Sequence, residues 1–377
     1  MKKNFGITLV ALVALAAVAF FALRPPVETD GTEVTHIAAN LPLSGPLAVY
    51  GVSVQEGASM ALDQENGLNE RFKIDWQDNQ SDPKTAVTIL QKQLLSSPDI
   101  YISGVKPQTM AIKDEVSKLG IPHFVWIFDA VINEGSENNL RTWVSYKIEP
   151  AIYKAYAEER GAKRIAITYV QLPHTIDEFE RIVIPSFKAE GIEVLAEPYE
   201  FGRTDFKDVA AKLNAFNPDL TILNGFQGDL VGLVRSLRPL DAIDDGNTIA
   251  TYDLLDAAKI LGADELEGIR VVAPKFETRF NDAKIAAWRE AFEERYSKEP
   301  LYTHAFAYDM MQGIISASAG KPSTHEEWLK ALRSLDIPGA TGPIRFDADG
   351  DMLTPLEVGV YRKGVLTPET VEAAVSE

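Results

Sequence analysis

Leu-Pro-Leu-Ser-Gly-Pro-Leu-Ala-Val-Tyr-Gly, residues 41–51, is the stretch that decides the fold. The apolar run Val34 to Ala39 precedes it as a buried strand would, and Val52 to Glu65 follows with apolar residues at helical spacing. The stretch is therefore predicted to be a loop that leaves the carboxyl end of a strand and opens a helix, where ligands bind in α/β sheets. Gly45 and Gly51 would let the backbone approach a ligand closely. An ordinary strand-to-helix connection fits the same residues, so both interpretations stay open.

Strands and helices continue to alternate through the rest of the chain. Strands are predicted at 34–39, 72–77, 100–103, 122–127, 164–169, 192–197, 220–223, 248–252 and 269–273, with helical patterns between them. This spacing indicates doubly wound parallel sheets. Later helices are predicted at 282–296, 303–319 and 324–335, mostly covering the first sheet, and closing strands at 343–346 and 356–361.

The predicted fold class is α/β, with two doubly wound lobes joined by a multi-strand hinge. Residues 32–148 and 278–352 are assigned to lobe 1, and residues 149–277 and 353–377 to lobe 2. The chain then crosses between the lobes near 148, 277 and 353. Several crossings make a hinge beside a cleft, which suits closure around a ligand.

The N-terminal segment, residues 1–31, is predicted to be a signal peptide or membrane anchor followed by a Pro-rich acidic tether. Two lysines precede an apolar run from Ile7 to Leu23, which is long enough to span a bilayer core. Ala17-Val18-Ala19 offers a cleavage site, but the apolar run continues beyond it, so cleavage and anchoring both stay open. Either outcome places the body in the periplasm or at the extracytoplasmic face.

Composition narrows the possible functions. The formal net charge is −18, which argues against nucleic acid and anionic lipid as partners and confines any membrane contact to the N-terminal segment. No cysteine nucleophile, Gly-x-Ser-x-Gly, P-loop or Gly-x-Gly-x-x-Gly is present, so neither an enzyme nor a cofactor is expected. The acidic run Asp347 to Asp351 begins like a calcium loop, but Val358 stands where its glutamate would be, so no metal site is predicted.

Five motifs in order carry a family resemblance. They are residues 41–51, Asp82-Pro83-Lys84-Thr85-Ala86-Val87, Thr204-Asp205-Phe206 with Asn217-Pro218-Asp219, Ala307-Tyr308-Asp309, and Gly342-Pro343-Ile344-Arg345-Phe346-Asp347 with Gly350-Asp351. Through these motifs, residues 34–362 resemble the periplasmic solute-binding proteins of the leucine/isoleucine/valine-binding type, which serve ABC importers. The resemblance implies a type I periplasmic binding protein fold, a small-molecule ligand held between the lobes, and an ABC permease in the cytoplasmic membrane as partner.

The resemblance also points to ligand-binding positions. The candidate ligand-binding residues are Ser44, Tyr50, Gln108, Thr109, Phe128, Asp129, Glu149, His174, Phe226 and Asp253. Tyr50 falls on the aromatic residue that covers the ligand, and Asp253 on the acid that neutralises the ligand ammonium. Gln108 replaces a serine that holds the ligand carboxylate, while Phe128 and Ala130 replace an alanine and a threonine at the head group. Two carboxylate contacts are thus changed or lost.

These residues suggest an amino acid or a related small polar ligand, with simple leucine and valine disfavoured. Hydrogen bonds from Ser44, Gln108 and Thr109 would hold ligand oxygens, and Asp253 would pair with an amine. Aromatic walls would suit a cation or a flat ring. Trp126 and Phe128 have a competing interpretation as core residues of a strand that faces a helix.

The predicted function is that of a non-catalytic solute-binding protein that closes on its ligand and presents it to an ABC importer. The alternative is a membrane-tethered sensor ectodomain that binds ligand in the same cleft and reports to a signalling partner. An exported hydrolase is disfavoured because no nucleophile with a base is visible.

Overall fold

The computed structural model describes residues 34–45, 47–64, 71–127, 130–133, 135–144, 148–240, 242–279 and 282–369. The predicted segment 1–31 and the last residues, 370–377, lie outside the described residues. Within the described ranges, no helix is long and apolar enough to cross a membrane.

The predicted strands occur in the predicted order. The strands are β1 (Thr35–Leu41), β2 (Phe72–Asp78), β3 (Ile100–Gly104), β4 (His123–Trp126), β5 (Asn139–Arg141), β6 (Arg164–Val170), β7 (Glu193–Tyr199), β8 (Leu220–Leu223), β9 (Thr248–Ala250), β10 (Arg270–Pro274), β11 (Ile337–Pro338), β12 (Pro343–Ile344), β13 (Leu356–Arg362) and β14 (Val365–Glu369). Of these, β5, β11 and β14 are additional strands that were not predicted from the sequence.

Helices connect most of these strands. They are α1 (Ala48–Asp63), α2 (Pro83–Gln93), α3 (Lys106–Lys118), α4 (Glu149–Glu159), α5 (Pro173–Glu178), α6 (Ile184–Ala189), α7 (Lys207–Phe216), α8 (Gln227–Leu237), α9 (Leu254–Ala257), α10 (Ala263–Leu266), α11 (Lys275–Thr278), α12 (Ala283–Tyr296), α13 (Tyr302–Ser318) and α14 (His325–Arg333). A π-helical turn, Phe179–Val183, joins α5 to α6 just before Pro185, which has no N–H to donate.

Two sheets share one plan. The 5-stranded sheet has the order β2-β1-β3-β4-β5 and is parallel throughout. The 7-stranded sheet has the order β14-β13-β10-β9-β8-β6-β7; β6 to β10 are parallel, and β13 and β14 add an antiparallel edge. In both sheets the strand order reverses beside the first strand, which is where α/β folds bind ligands. The two-lobed, doubly wound α/β class is confirmed.

The three later helices pack on the first sheet's lobe, as the sequence predicts. Helix α13 lies so close to α1 that a Cβ on Gly57 would come within 2.2 Å of the His304 carbonyl oxygen. The Tyr296 hydroxyl at the end of α12 donates 2.8 Å to the Glu56 carbonyl, and His325 at the start of α14 contacts the Pro98 carbonyl at 3.1 Å. The second half of the chain therefore returns to cover the first sheet.

The predicted loop 41–51 is too long at its end, because Ala48 to Gly51 already form the first turn of α1. Gly51 is needed at this point since a Cβ there would lie 2.2 Å from the Pro42 carbonyl oxygen. The close backbone approach predicted at Gly51 is thus made to Pro42, inside the protein. Tyr50 consequently sits on a helix rather than on a loop.

The predicted closing strand 343–346 does not join either of the two large sheets. Pro343 and Ile344 pair antiparallel with Ile337 and Pro338 in a separate 2-stranded hairpin. A proline in each strand removes the N–H that a longer ladder would require, so the pairing stops there.

A buried ion pair fixes the acidic turn that follows. Arg141 is fully buried, and its Nε lies 2.7 Å from Asp351 Oδ1. Asn133 donates to the same oxygen over 2.8 Å, while Arg141 Nη1 donates to the Val144 and Ile127 carbonyls at 3.2 and 3.3 Å. Both charges are therefore neutralised within the lobe.

Candidate functional site

The loop before α1 is tied to the neighbouring strand. The backbone N–H groups of Leu43 and Ser44 donate to Asp78 Oδ1 at 2.9 and 3.1 Å, and Ser44 Oγ donates to Asp78 Oδ2 at 2.6 Å. These bonds lower the pKa of Asp78 against the opposing effect of burial. The Ser44 hydroxyl, predicted to hold a ligand oxygen, therefore donates its hydrogen bond to Asp78 in this conformation.

An aromatic cluster, Tyr50, Trp126, Trp143, Tyr252 and Tyr302, links the two lobes. Trp143 lies at its centre, with ring centroids 5.9 Å from Tyr50, 6.1 Å from Trp126 and 6.1 Å from Tyr302. Tyr252 lies two residues after the end of β9 and joins from the second lobe, 6.1 Å from Tyr302, while its hydroxyl accepts a 3.3 Å bond from Trp143 Nε1. Tyr50 keeps 40% of its surface exposed, so solvent reaches the cluster at this residue.

Asp253 lies directly beside this cluster. It follows Tyr252, and its carboxylate accepts a 3.0 Å hydrogen bond from the Thr251 hydroxyl. Burial is the main cause that raises the pKa of Asp253 to about 7. Burial, followed by the charge of Asp253, raises the pKa of Tyr302. The pKa of Tyr50 is also raised, first by burial, then by the charge of Asp256 and then by that of Asp253. The acid thus faces aromatic residues of both lobes.

Two further acids lie behind Asp253. Glu149 opens α4 and Glu178 ends α5, and each is only 2% exposed. The two carboxyl groups contact each other, and Glu149 also accepts a 3.2 Å bond from the Tyr153 hydroxyl. Burial raises the pKa of both groups, and the charge of Asp253 raises them further. At least one proton is therefore held within this acid cluster near neutral pH.

The start of α3 brings in the other predicted hydrogen-bonding residues. Gln108 is 2% exposed, and its Oε1 has no hydrogen-bond partner. Thr109 is fully buried and its hydroxyl lies 2.9 Å from Ser103 Oγ, which in turn contacts His123. Just before the helix, Val105 has φ +67°, a strained value for a β-branched residue. Ligand contacts by Gln108 and Thr109 stay predictions.

His174 and Phe226 meet in a second aromatic group on the second lobe. Their ring centroids are 6.5 Å apart, and Phe201, which is 64% exposed, lies 5.5 Å from Phe226. Phe226 immediately precedes α8, and His174 lies in the first turn of α5. Both therefore occupy the ends of helices that follow parallel strands, as ligand-binding residues of this architecture do.

Of the remaining predicted residues, Phe128 and Asp129 lie outside the described residues, and the Ala130 side chain is not described. Trp126 is 3% exposed, and its Nε1 donates to Met310 Sδ at 3.4 Å, which agrees with its alternative interpretation as a core residue. Sequence reasoning missed Trp143, Tyr302 and Glu178. None of these three residues lies in a motif that the sequence analysis singled out.

Comparisons with known proteins place these features among relatives. A family model described as periplasmic binding protein matches residues 35–364. The Leu/Ile/Val-binding protein homolog 1 of Brucella suis biovar 1 is 36% identical over 371 residues, an alignment that takes in 92% of this chain and 94% of the relative.

Solved structures share the fold. The branched-chain amino acid transporter substrate binding protein LivJ from Streptococcus pneumoniae, in complex with isoleucine, superposes with a TM-score of 0.71 and 20% identity over 89% of this chain and 98% of that chain. A solute binding protein of an ABC transporter from R. palustris, in complex with benzoate, superposes with a TM-score of 0.72 and 18% identity over 90% of this chain and 97% of that one.

Proposed function

The chain belongs to the periplasmic binding protein family, in its branched-chain amino acid type, and from that premise we propose that it binds a small polar solute between its lobes and delivers it to an ABC permease. The family consists of extracytoplasmic binding proteins that serve ABC importers, not of enzymes. Residues 1–23 would export the chain or anchor it to the membrane.

The observation that carries the proposal is the meeting of both lobes at one mixed site. Tyr50 and Trp143 come from the first lobe, while Tyr252 and Asp253 come from the end of β9 in the second. A ligand that contacts both sides stabilises the closed arrangement, because only closure brings all its partners together.

We place the hinge at the chain crossings near 148, 277 and 353. Strand β5 belongs to the first sheet and β6 to the second, β10 belongs to the second while α13 covers the first lobe, and β13 returns to the second sheet. The predicted lobes, 32–148 with 278–352 and 149–277 with 353–377, stay a proposal, which this sheet membership supports. Crossings of this kind permit rigid-body closure with small local changes.

Native mass spectrometry of the full chain, purified in a mild detergent, tests the proposal together with a thermal-shift screen of amino acids, amides, polyamines and small aromatic acids. A solute present at 100 times its dissociation constant should add about 2.7 kcal/mol to the free energy of unfolding. We expect a co-purified or stabilising small molecule, and we expect Tyr50→Ala to weaken its binding. A protein that carries no small molecule and shifts with no member of the screen would contradict the proposal.

A further inference from the structure

The acid cluster of the second lobe, Glu149, Glu178 and Asp253, has no basic partner within the part of the chain that the structure describes. No lysine or arginine there forms an ion pair with Glu149, Glu178 or Asp253, although ion pairs are common elsewhere in the protein. One carboxyl oxygen of each glutamate, Oε1, is buried without any hydrogen-bond partner. Buried carboxylates without compensation are costly, so this arrangement is suited to receiving positive charge from outside.

Aromatic rings of the first lobe lie near Asp253, one of these acids. Tyr50 and Tyr302 both feel the charge of Asp253, and Tyr50 remains 40% exposed. Faces of aromatic rings attract ammonium and guanidinium groups, and they do so most strongly where water is excluded. An acid beside several tyrosine and tryptophan rings therefore favours an organic cation.

Two of the three side chains predicted to hold ligand oxygens are already engaged. Ser44 Oγ donates a hydrogen bond to Asp78, and the buried Thr109 hydroxyl is bonded to Ser103. The third, Gln108, has a buried Oε1 without a hydrogen-bond partner, and this oxygen can accept a bond from a cationic N–H group. Among the residues that the structure describes, a carboxylate would thus find both predicted hydroxyls occupied on the first lobe and a cluster of acids on the second.

We infer that the ligand is a small organic cation without a carboxylate, whose cationic group binds between Asp253 and the tyrosine rings Tyr50 and Tyr302. This inference rests on the proposed function and names the class of solute. Glu149 and Glu178 act as positioning residues that keep the local field negative around Asp253. The ligand of this chain would then differ from isoleucine and benzoate, which the two solved relatives hold.

Binding of such a cation is coupled to protons. Asp253 has a pKa of about 7, so it is roughly half protonated at pH 7, and a bound cation favours its ionised form. Binding therefore releases protons, and affinity rises between pH 6 and 8, while an aliphatic amine stays charged up to about pH 10. The groups that act on Asp253 or respond to its charge are Thr251, Asp256, Glu149, Glu178, Tyr50, Tyr153, Tyr199, Tyr252 and Tyr302.

Matched pairs of probes that differ only in the carboxylate test the inference. The matched pairs are tyramine with tyrosine and 2-methylbutylamine with isoleucine, while choline and agmatine serve as further cations and benzoate as a further carboxylate. Each is titrated into the full chain by calorimetry at pH 6, 7 and 8. We expect at least one amine to bind at least about tenfold more tightly than its carboxylate-bearing partner, a difference of about 1.4 kcal/mol. Its affinity should rise with pH, and titrations in buffers of different ionisation enthalpy should show proton release.

Two variants locate the effect. Asp253→Asn should abolish proton release and weaken the amine by tenfold or more, whereas Glu193→Gln, at an exposed acid of the same lobe that lies 3.3 Å from Arg164, should change affinity less than threefold. Thermal unfolding of both variants checks that they fold. Tighter binding of isoleucine, tyrosine or benzoate than of every amine would overturn the inference and leave the proposed function standing. Binding of no probe at all would overturn the inference as well, and the wider screen would then decide the proposed function separately.

Discussion

Two buried charged sites, one in each lobe, differ in how their charges are compensated. In the first lobe, Arg141 and Asp351 are both buried, form a 2.7 Å ion pair, and have further hydrogen bonds from or to neighbouring groups. In the second lobe, Glu149 and Glu178 are also buried, but they contact each other and feel the charge of Asp253, and no described lysine or arginine forms an ion pair with them. The first arrangement is complete in itself, whereas among the described residues the second is compensated only by a bound proton or cation.

This difference separates a buried pair with a structural role from an acid cluster that we propose takes part in binding. A compensated ion pair fixes the acidic turn at the hinge-side end of the first sheet, and removing one partner leaves a stranded charge. An acid cluster without a basic partner among the described residues lowers the stability of the empty protein, and its place beside an aromatic cluster is what the proposed binding site would require. Substitutions at the two sites should therefore have effects of opposite sign.

The largest effect is expected from Arg141→Met, which strands Asp351 in the core. Breaking a buried pair in this way should lower the free energy of unfolding by about 3–5 kcal/mol, measured by urea denaturation at pH 7. Arg345→Met provides the control, because Arg345 lies 3.9 Å from Asp336 at an exposed site and should change stability by less than about 1 kcal/mol. Equal effects of the two substitutions would show that the buried pair has no special role.

Glu149→Gln should stabilise the empty protein, in contrast to Arg141→Met. The amide keeps the shape and still accepts the Tyr153 hydrogen bond, but it removes a group that must stay protonated in the folded state. We expect a gain on the order of 1 kcal/mol at pH 8 and little change at pH 4, measured by urea denaturation without ligand. Glu158→Gln, on the exposed face of the same helix, is the matched control and should be nearly neutral. A loss of stability in the Glu149 variant at pH 8 would count against the uncompensated state of the cluster.

The free energy of unfolding of the empty protein should also depend on pH because of this acid cluster. Glu149, Glu178 and Asp253 have raised pKa values in the folded state, so the folded protein holds protons that the unfolded chain releases. Their contribution to the free energy of unfolding is complete below about pH 4, the ordinary carboxyl range, and is lost as pH rises through about 7 and above. Denaturation series from pH 4 to 8 should show a decline that flattens in a Glu149→Gln/Glu178→Gln variant. An unchanged slope in that variant would assign the decline to other groups.

Sequence alone predicted the fold class and most of its strands and helices, whereas the lobe bounds and the ligand contacts stay predictions. Alternating apolar periods and caps such as Asp82-Pro83 are local signals, and the structure has Asp82 bonded to the Thr85 N–H as an N-cap should be. The pairing of Arg141 with Asp351 joins residues 210 positions apart, and no local pattern reports it. Trp143 and Tyr302 are isolated aromatics whose role depends on how the lobes meet, so only the folded chain reveals the aromatic cluster.

The smallest expected effect is at Ser44, whose hydroxyl already has a hydrogen-bond partner within the first lobe. Its hydroxyl donates to Asp78 at 2.6 Å on the exposed surface, so Ser44→Ala should lower the free energy of unfolding by about 0.5 kcal/mol and raise the pKa of Asp78. Because this hydroxyl is already engaged, the affinity of the solute found in the screen should change by less than twofold. Asp253→Asn, measured in parallel by calorimetry, supplies the contrast. A tenfold loss of affinity in Ser44→Ala would mean that the hydroxyl exchanges Asp78 for a ligand oxygen on closure, and that the first lobe recognises the ligand by hydrogen bonds as well as by aromatic contact.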